Sequence, residues 1–157
     1  MNTRRRLAGV ATAVGVIVVL CGCSVPQHGR TGHTRDSHGT LTAVIQMCGG
    51  HQVDGIEVFI DDHDSIEYQL KHTVSDFDME AIPGVERKIK PELTYYSYAG
   101  SSTGDAIAPG PDLSREVLRS LVAGQVLAPS EGDVNKTELM TVRAFRAQVK
   151  RQCSGLG

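Results

Sequence analysis

A run of acidic residues in the middle of the chain could bind a metal ion. Asp61, Asp62 and Asp64 surround His63, and Glu67 follows shortly after. Hard cations take several carboxylate oxygens from one loop. The stretch nevertheless lacks the alternating acids, central glycine and terminal glutamate of an EF-hand loop. We interpret it as the acidic turn of a β-hairpin and predict no metal and no other cofactor, with the four acids kept as the metal-ligand candidates.

A second chemical feature is a cysteine that ends an amino-terminal apolar run. Arg4, Arg5 and Arg6 precede residues 7–20, where Thr12 is the only polar side chain. Spanning a bilayer takes about 18 or more apolar residues, so this run is too short. A positive flank, a short apolar run and small residues form an export signal, here residues 1–22. An uncleaved anchor is the less favoured alternative, and the general secretory route is favoured over the twin-arginine route.

Leu20, Cys21, Gly22 and Cys23 resemble the lipobox of bacterial lipoproteins. In that motif a leucine and two small residues precede the cysteine that is lipidated. The resemblance covers only the first 23 residues. It implies cleavage after Gly22, a diacylglycerol on the thiol of Cys23, and stable anchoring by two or more acyl chains. The expected location is the extracytoplasmic face of the cell membrane.

Cys48 and Cys153 are the two cysteines that remain after signal removal and lipidation. An even pair in an oxidising compartment predicts a structural disulfide. A redox pair or a metal thiolate site is less favoured, because the chain has no Cys-x-x-Cys and no histidine at zinc-finger spacing. The bridge would close a loop of about 100 residues, for which chain entropy gives on the order of 4–5 kcal/mol.

The charge balance and the motifs exclude several functions. The chain has 16 basic and 18 acidic residues, and the signal removes three arginines, which leaves a net charge of −5 from Cys23 onward. Nucleic-acid binding requires a basic face, so it is not expected. No Gly-x-Ser-x-Gly, His-Glu-x-x-His or phosphate-binding loop is present. We therefore predict that the protein is not an enzyme.

The segment after Cys23 is polar and shows no apolar period. We predict a flexible tether over residues 23–39 and one globular domain over residues 40–157. His28, His33 and His38 recur every five residues in the tether. They could bind a metal ion loosely, but solvated histidines are favoured because a flexible segment pre-organises no site.

Hydrophobic alternation predicts the β-strands of the domain. Strands are expected at residues 40–48, 55–60, 66–71, 93–99 and 125–128, with a further one near 85–89. The second and third would form a hairpin, and loops are expected at residues 100–111 and 130–136. The predicted fold class is α+β, with an antiparallel, sandwich-like core of five or six short strands.

Two helices complete the predicted fold. A short one is expected near 113–123, capped by Asp112 or Ser114. A C-terminal helix is expected near 141–152, capped by Thr141. Its apolar face would consist of Val142, Phe145, Val149 and Cys153.

Three neighbouring tyrosines are the candidates for partner binding. Alternation along a strand places Tyr95 with Leu93 and Ala99, and Tyr96 and Tyr98 on the opposite face. The face with the leucine is the better core candidate, so Tyr96 and Tyr98 are predicted to point outward. In the alternative, both faces are covered and all three rings belong to the core.

The sequence thus predicts a non-enzymatic lipoprotein of the cell envelope. Its partners would be the membrane, through the lipid anchor, and a protein or other component of the envelope. A small-molecule or metal-binding lipoprotein is the alternative, followed by a hydrolase.

Overall fold

The structure, a computed structural model, describes residues 27–60 and 65–155. Within these ranges nine strands form two antiparallel sheets, so the sandwich-like α+β fold class is confirmed. The strands are β1 (Gly29–Arg35), β2 (Leu41–Met47), β3 (Val53–Phe59), β4 (Ser65–Val74), β5 (Phe77–Ala81), β6 (Tyr96–Gly100), β7 (Ile107–Pro109), β8 (Gln125–Ser130) and β9 (Asp133–Thr141). The helices are α1 (Val85–Lys88), α2 (Arg115–Ser120) and α3 (Val142–Ser154).

The sheet of order β5-β2-β1-β8-β9 is the middle layer of the fold. One face packs on the sheet of order β4-β3-β6-β7, and α3 covers part of the other. Along β2, Ala43 and Ile45 belong to the core between the sheets, whereas Val44 packs with Phe145 and Val149 of α3. Because both of its faces are covered, every residue of β2 is buried.

The predicted tether over residues 23–39 is wrong from Gly29 onward. Residues 29–35 form β1, which pairs with β2 and β8 in the centre of the five-stranded sheet and is almost fully buried. The domain therefore begins well before residue 40. The polar side chains of β1 can be buried because groups far away in sequence form hydrogen bonds with them. The Thr31 hydroxyl donates to the Ala108 carbonyl at 2.9 Å, and Arg30 Nε donates to Gln152 at 3.1 Å.

A glycine in β1 allows the close approach of β8. A Cβ on Gly32 would lie 2.4 Å from a methyl carbon of Val126 and 3.0 Å from the Leu127 carbonyl oxygen. A side chain at this position would therefore force the two central strands apart.

The C-terminal helix agrees with the prediction. The Thr141 hydroxyl accepts a hydrogen bond from the Ala144 amide, as an N-cap does. The predicted apolar face packs on the sheet through Val142, Phe145, Val149 and Cys153. The predicted Cys48–Cys153 disulfide is present and joins the end of β2 to the last turn of α3.

Other elements differ from the prediction. Residues 85–88 form α1 rather than a strand, and α2 is shorter than expected, with Ser114 as its cap. The predicted loop at 130–136 includes the start of β9, which pairs with β8 across a tight turn. β5 and β7 were not predicted, because each is short and lies at the edge of its sheet.

Three of the predicted features fall wholly or largely outside the described residues. These are the signal at 1–22, Cys23, and the turn with Asp61, Asp62 and Asp64. The strands on either side of that turn, β3 and β4, pair in antiparallel register as predicted. No helix within the described ranges is both long and apolar enough to cross a membrane.

Candidate functional site

The outer face of the four-stranded sheet is open to solvent in the described part of the chain. Along β4, Ile66 and Leu70 point into the core while Glu67 and Gln69 are exposed. β3 and β6 show the same alternation. A sheet with one solvated face alternates in this way, in contrast to the continuous burial of β1 and β2.

An aromatic cluster lies on this outer face. Phe59 of β3 is directly opposite Tyr96 of β6, with ring centroids 5.8 Å apart. The Tyr98 ring meets Phe59 edge-on, at a centroid distance of 5.6 Å. Tyr96 remains 54% exposed. Such a partly exposed aromatic cluster offers a large contact area at small entropic cost.

A groove of about 420 Å³ continues from the aromatic cluster along β3. Its floor includes Gly55 and Gly100, which pair across β3 and β6 and carry no side chain. A Cβ on Gly100 would lie 2.9 Å from the Tyr98 ring, so the ring leans over this glycine and forms one wall. Gln69 lines the groove from β4.

Carboxylates give the groove its charge. Asp54, Glu57 and Glu67 line it, and its lining contains no lysine or arginine. The Tyr98 hydroxyl donates a hydrogen bond to Glu57. Burial, followed by this bond and the charge of Glu57, raises the pKa of Tyr98 to about 12. Tyr98 therefore stays a neutral donor, and the carboxylates attract a cation.

Hydrogen bonds connect the segments at one end of the groove. Asp54 accepts hydrogen bonds from the Ser102 amide at 2.8 Å and the Ser102 hydroxyl at 2.6 Å. Gln69 Nε2 donates to the Asp54 backbone carbonyl at 2.7 Å. These bonds hold the start of β3 to both neighbouring segments, so the groove is pre-formed rather than assembled on binding.

The structure places the tyrosines on the predicted faces. Tyr95 is fully buried, Tyr96 is exposed, and Tyr98 is half-buried beside Glu57. Of the four acids predicted as metal-ligand candidates, only Glu67 is described, and it lies opposite Glu57 on the outer face. Phe59 and Glu57 were missed as site residues, although their alternation within β3 could have placed both on one face.

A buried contact between Ser97 and His33 could be mistaken for a catalytic pair. The Ser97 hydroxyl donates to the Pro111 carbonyl at 2.6 Å, so its single proton is used. His33 Nε2 therefore donates to Ser97 Oγ, 3.2 Å away. His33 is 0% exposed, and Ser97 is also buried between the sheets. No substrate can reach this pair, and its role is structural.

Burial of His33 makes the stability of the fold sensitive to acid. Burial lowers the pKa of His33 to about 4, from 6.5 in an unfolded chain. Between these values the unfolded state binds more protons, so the free energy of unfolding falls by about 3 kcal/mol as the pH drops from about 6.5 to about 4. Urea melts at pH 7 and pH 4 measure this loss.

A His33→Gln variant is the control for the acid effect, because glutamine can donate to Ser97 without titrating. We expect its loss of stability between the two pH values to be smaller by about 3 kcal/mol. Equal losses in the variant and the wild-type protein would assign the effect to other groups.

Comparison with known proteins gives no assignment. No protein-family model matches the chain, and neither a curated protein nor a solved structure matches it.

Proposed function

We propose that the protein is a lipid-anchored, non-enzymatic lipoprotein of the cell envelope whose domain binds a cationic segment of an envelope protein. The binding site is the outer face of the four-stranded sheet. The observation that carries the proposal is the groove there, with an aromatic wall and three carboxylates but no basic side chain. Lysine and arginine side chains bind such surfaces through ion pairs and through the faces of aromatic rings.

The anchor is supported by the resemblance of residues 20–23 to a lipobox. Cys23→Ala is expected to prevent lipidation, so the protein leaves the detergent phase or accumulates as the uncleaved precursor. Detergent partitioning and mass spectrometry of the mature protein measure this. Cys21→Ala is the matched control, because it removes a neighbouring thiol and keeps a small residue before the lipidated cysteine. Unmodified Cys23 in the wild-type protein would disprove the anchor.

The groove is tested with peptides of opposite charge. Full-length protein in detergent is titrated with a short oligolysine and with oligoglutamate of equal length. Tyrosine fluorescence can follow the titration, because the chain has four tyrosines and no tryptophan. We expect the oligolysine alone to bind, and the affinity to fall as salt screens the carboxylates.

Paired charge-neutral variants show whether the groove is the site. Glu57→Gln with Glu67→Gln should weaken oligolysine binding about tenfold, since two partly exposed ion pairs contribute on the order of 1–2 kcal/mol together. Glu92→Gln with Glu116→Gln changes the net charge equally at exposed positions outside the groove lining. Equal weakening by both pairs, or tighter binding of oligoglutamate, would refute the groove as the binding site.

A further inference from the structure

A histidine and two carboxylates converge where the edges of the two sheets meet. His72 lies on β4, and Asp78 and Glu80 lie on β5. One potential ligand atom from each of the three lies within 4.8 Å of the other two. His72 Nε2 is 2.6 Å from Asp78 Oδ2. This corner is separate from the groove, which does not include any of the three residues.

An irregularity in β4 places the histidine. Gly55 pairs with Gln69, and Val53 pairs with Val74, so a step of two residues in β3 is matched by a step of five residues in β4. β4 therefore accommodates three extra residues in a bulge. His72 lies in this bulge and its side chain is 64% exposed. Bulges of this kind redirect side chains and occur often beside functional sites. The histidine therefore projects toward β5 instead of continuing the strand pairing.

The glutamate is held rigidly on the other side. Glu80 is 4% exposed, and its two carboxylate oxygens accept hydrogen bonds from the Lys71 amide at 3.0 and 3.1 Å. The nearby Tyr68 hydroxyl donates to the Ala81 carbonyl at 3.1 Å. These bonds link β4 to β5 through the Tyr68 and Glu80 side chains. The two strands belong to different sheets and are not paired with each other. A buried carboxylate with fixed orientation is a pre-organised ligand.

Among the described residues, His72 is the basic side chain that pairs with a carboxylate of this corner. Among the described residues, no lysine or arginine forms an ion pair with Asp78 or Glu80. Asp78 Oδ2 is buried and has no hydrogen bond of acceptable geometry, despite its short distance to His72. Two carboxylates held close together in a partly buried site carry a cost in free energy unless a cation binds between them.

We propose that His72, Asp78 and Glu80 form a Zn²⁺ site. Imidazole and carboxylate groups are usual zinc ligands at about 2.0–2.2 Å, and three protein ligands leave a fourth position for water. Ligand atoms of a tetrahedral site lie about 3.4 Å apart. The three atoms now lie within 4.8 Å of one another, so small side-chain rotations of the exposed His72 and of Asp78 would bring them to that spacing. Calcium is excluded by the donor set, since it takes six to eight oxygen ligands.

Zinc at this corner is bound by residues of both β4 and β5, so it cross-links the neighbouring edges of the two sheets. A ligand that binds only the folded state raises the melting temperature. We therefore expect saturating Zn²⁺ to raise the melting temperature of the full-length protein by several degrees. Ca²⁺ at the same concentration should leave it unchanged.

The experiment is a calorimetric titration of chelator-treated full-length protein with ZnCl₂. The wild-type protein should bind one ion with micromolar or tighter affinity. His72→Ala and Asp78→Asn should each weaken binding at least about tenfold, the lower bound for changes even in groups that only support a ligand. Both residues are at least partly exposed, so these variants should remain folded, which circular dichroism verifies.

Other histidines serve as controls, because the chain contains six. His38 is exposed on a turn, and His51 stacks on His28 with ring centroids 3.7 Å apart. His38→Ala and His51→Ala should bind Zn²⁺ as the wild-type protein does. Binding that survives His72→Ala, binding lost in His51→Ala, or comparable binding of Ca²⁺ would each overturn the proposal.

Discussion

Replacing both bridged cysteines, Cys48→Ala with Cys153→Ala, is expected to lower the free energy of unfolding by about 4–5 kcal/mol. The bridge joins residues 105 apart in sequence, so its loss greatly increases the entropy of the unfolded chain. The folded state also loses the link between β2 and the last turn of α3. Urea unfolding of the oxidised wild-type protein and the double variant measures the difference.

Reduction of the wild-type protein provides the control for the disulfide. Protein treated with a reductant should unfold at the same urea concentration as the double variant. Alkylation before reduction should label neither Cys48 nor Cys153. Labelling of both cysteines without reductant, or a loss below about 1 kcal/mol in the double variant, would contradict the prediction.

Tyr95→Ala is expected to cost about 3–5 kcal/mol, as truncation of a fully buried aromatic ring does. Tyr95 is 0% exposed and packs in the core between the sheets. Its hydroxyl also accepts a hydrogen bond from the Lys90 amide at 3.3 Å. Tyr95→Phe keeps the ring and loses only this bond, so it should cost about 1 kcal/mol. Denaturant melts of both variants separate the two contributions.

The neighbouring tyrosines are matched comparisons for Tyr95. Tyr96→Ala should cost under about 1 kcal/mol, because the ring is more than half exposed. Tyr98→Ala should lie between the two, since its half-buried ring packs on Phe59 and its hydroxyl bonds Glu57. Equal large losses at Tyr95 and Tyr96 would show that the two opposite faces on which these tyrosines lie are both core.

Strands with one exposed face were predictable because apolar residues that face the core alternate with polar residues that face solvent. β3, β4 and the outward tyrosines of β6 follow this pattern. The Thr141 cap and the apolar face of α3 were also local signals. The disulfide followed from the cysteine count once Cys21 was assigned to the signal and Cys23 to the lipid anchor.

β1 could not be predicted because its burial depends on partners far away in sequence. The partner of Thr31 is 77 residues away, and the partner of Arg30 is 122 residues away. No local pattern marks a polar strand whose hydrogen-bonding groups are satisfied in this way. The corner with His72 and Glu80 was missed for a related reason, since β5 is short and joins β4 only through side chains.

Because β1 begins at Gly29, the chain between it and Cys23 is short. Six residue steps span at most about 20 Å. With Cys23 lipidated as proposed, the first residue of β1 cannot move farther than this from the bilayer surface. His28 contacts His51, just before β3, so the Gly55 end of the groove lies nearer the proposed anchor than the Phe59 end does. With that anchor, the aromatic rings would be the part of the site farther from the lipid, and a partner that fills the whole groove would have to extend toward the bilayer.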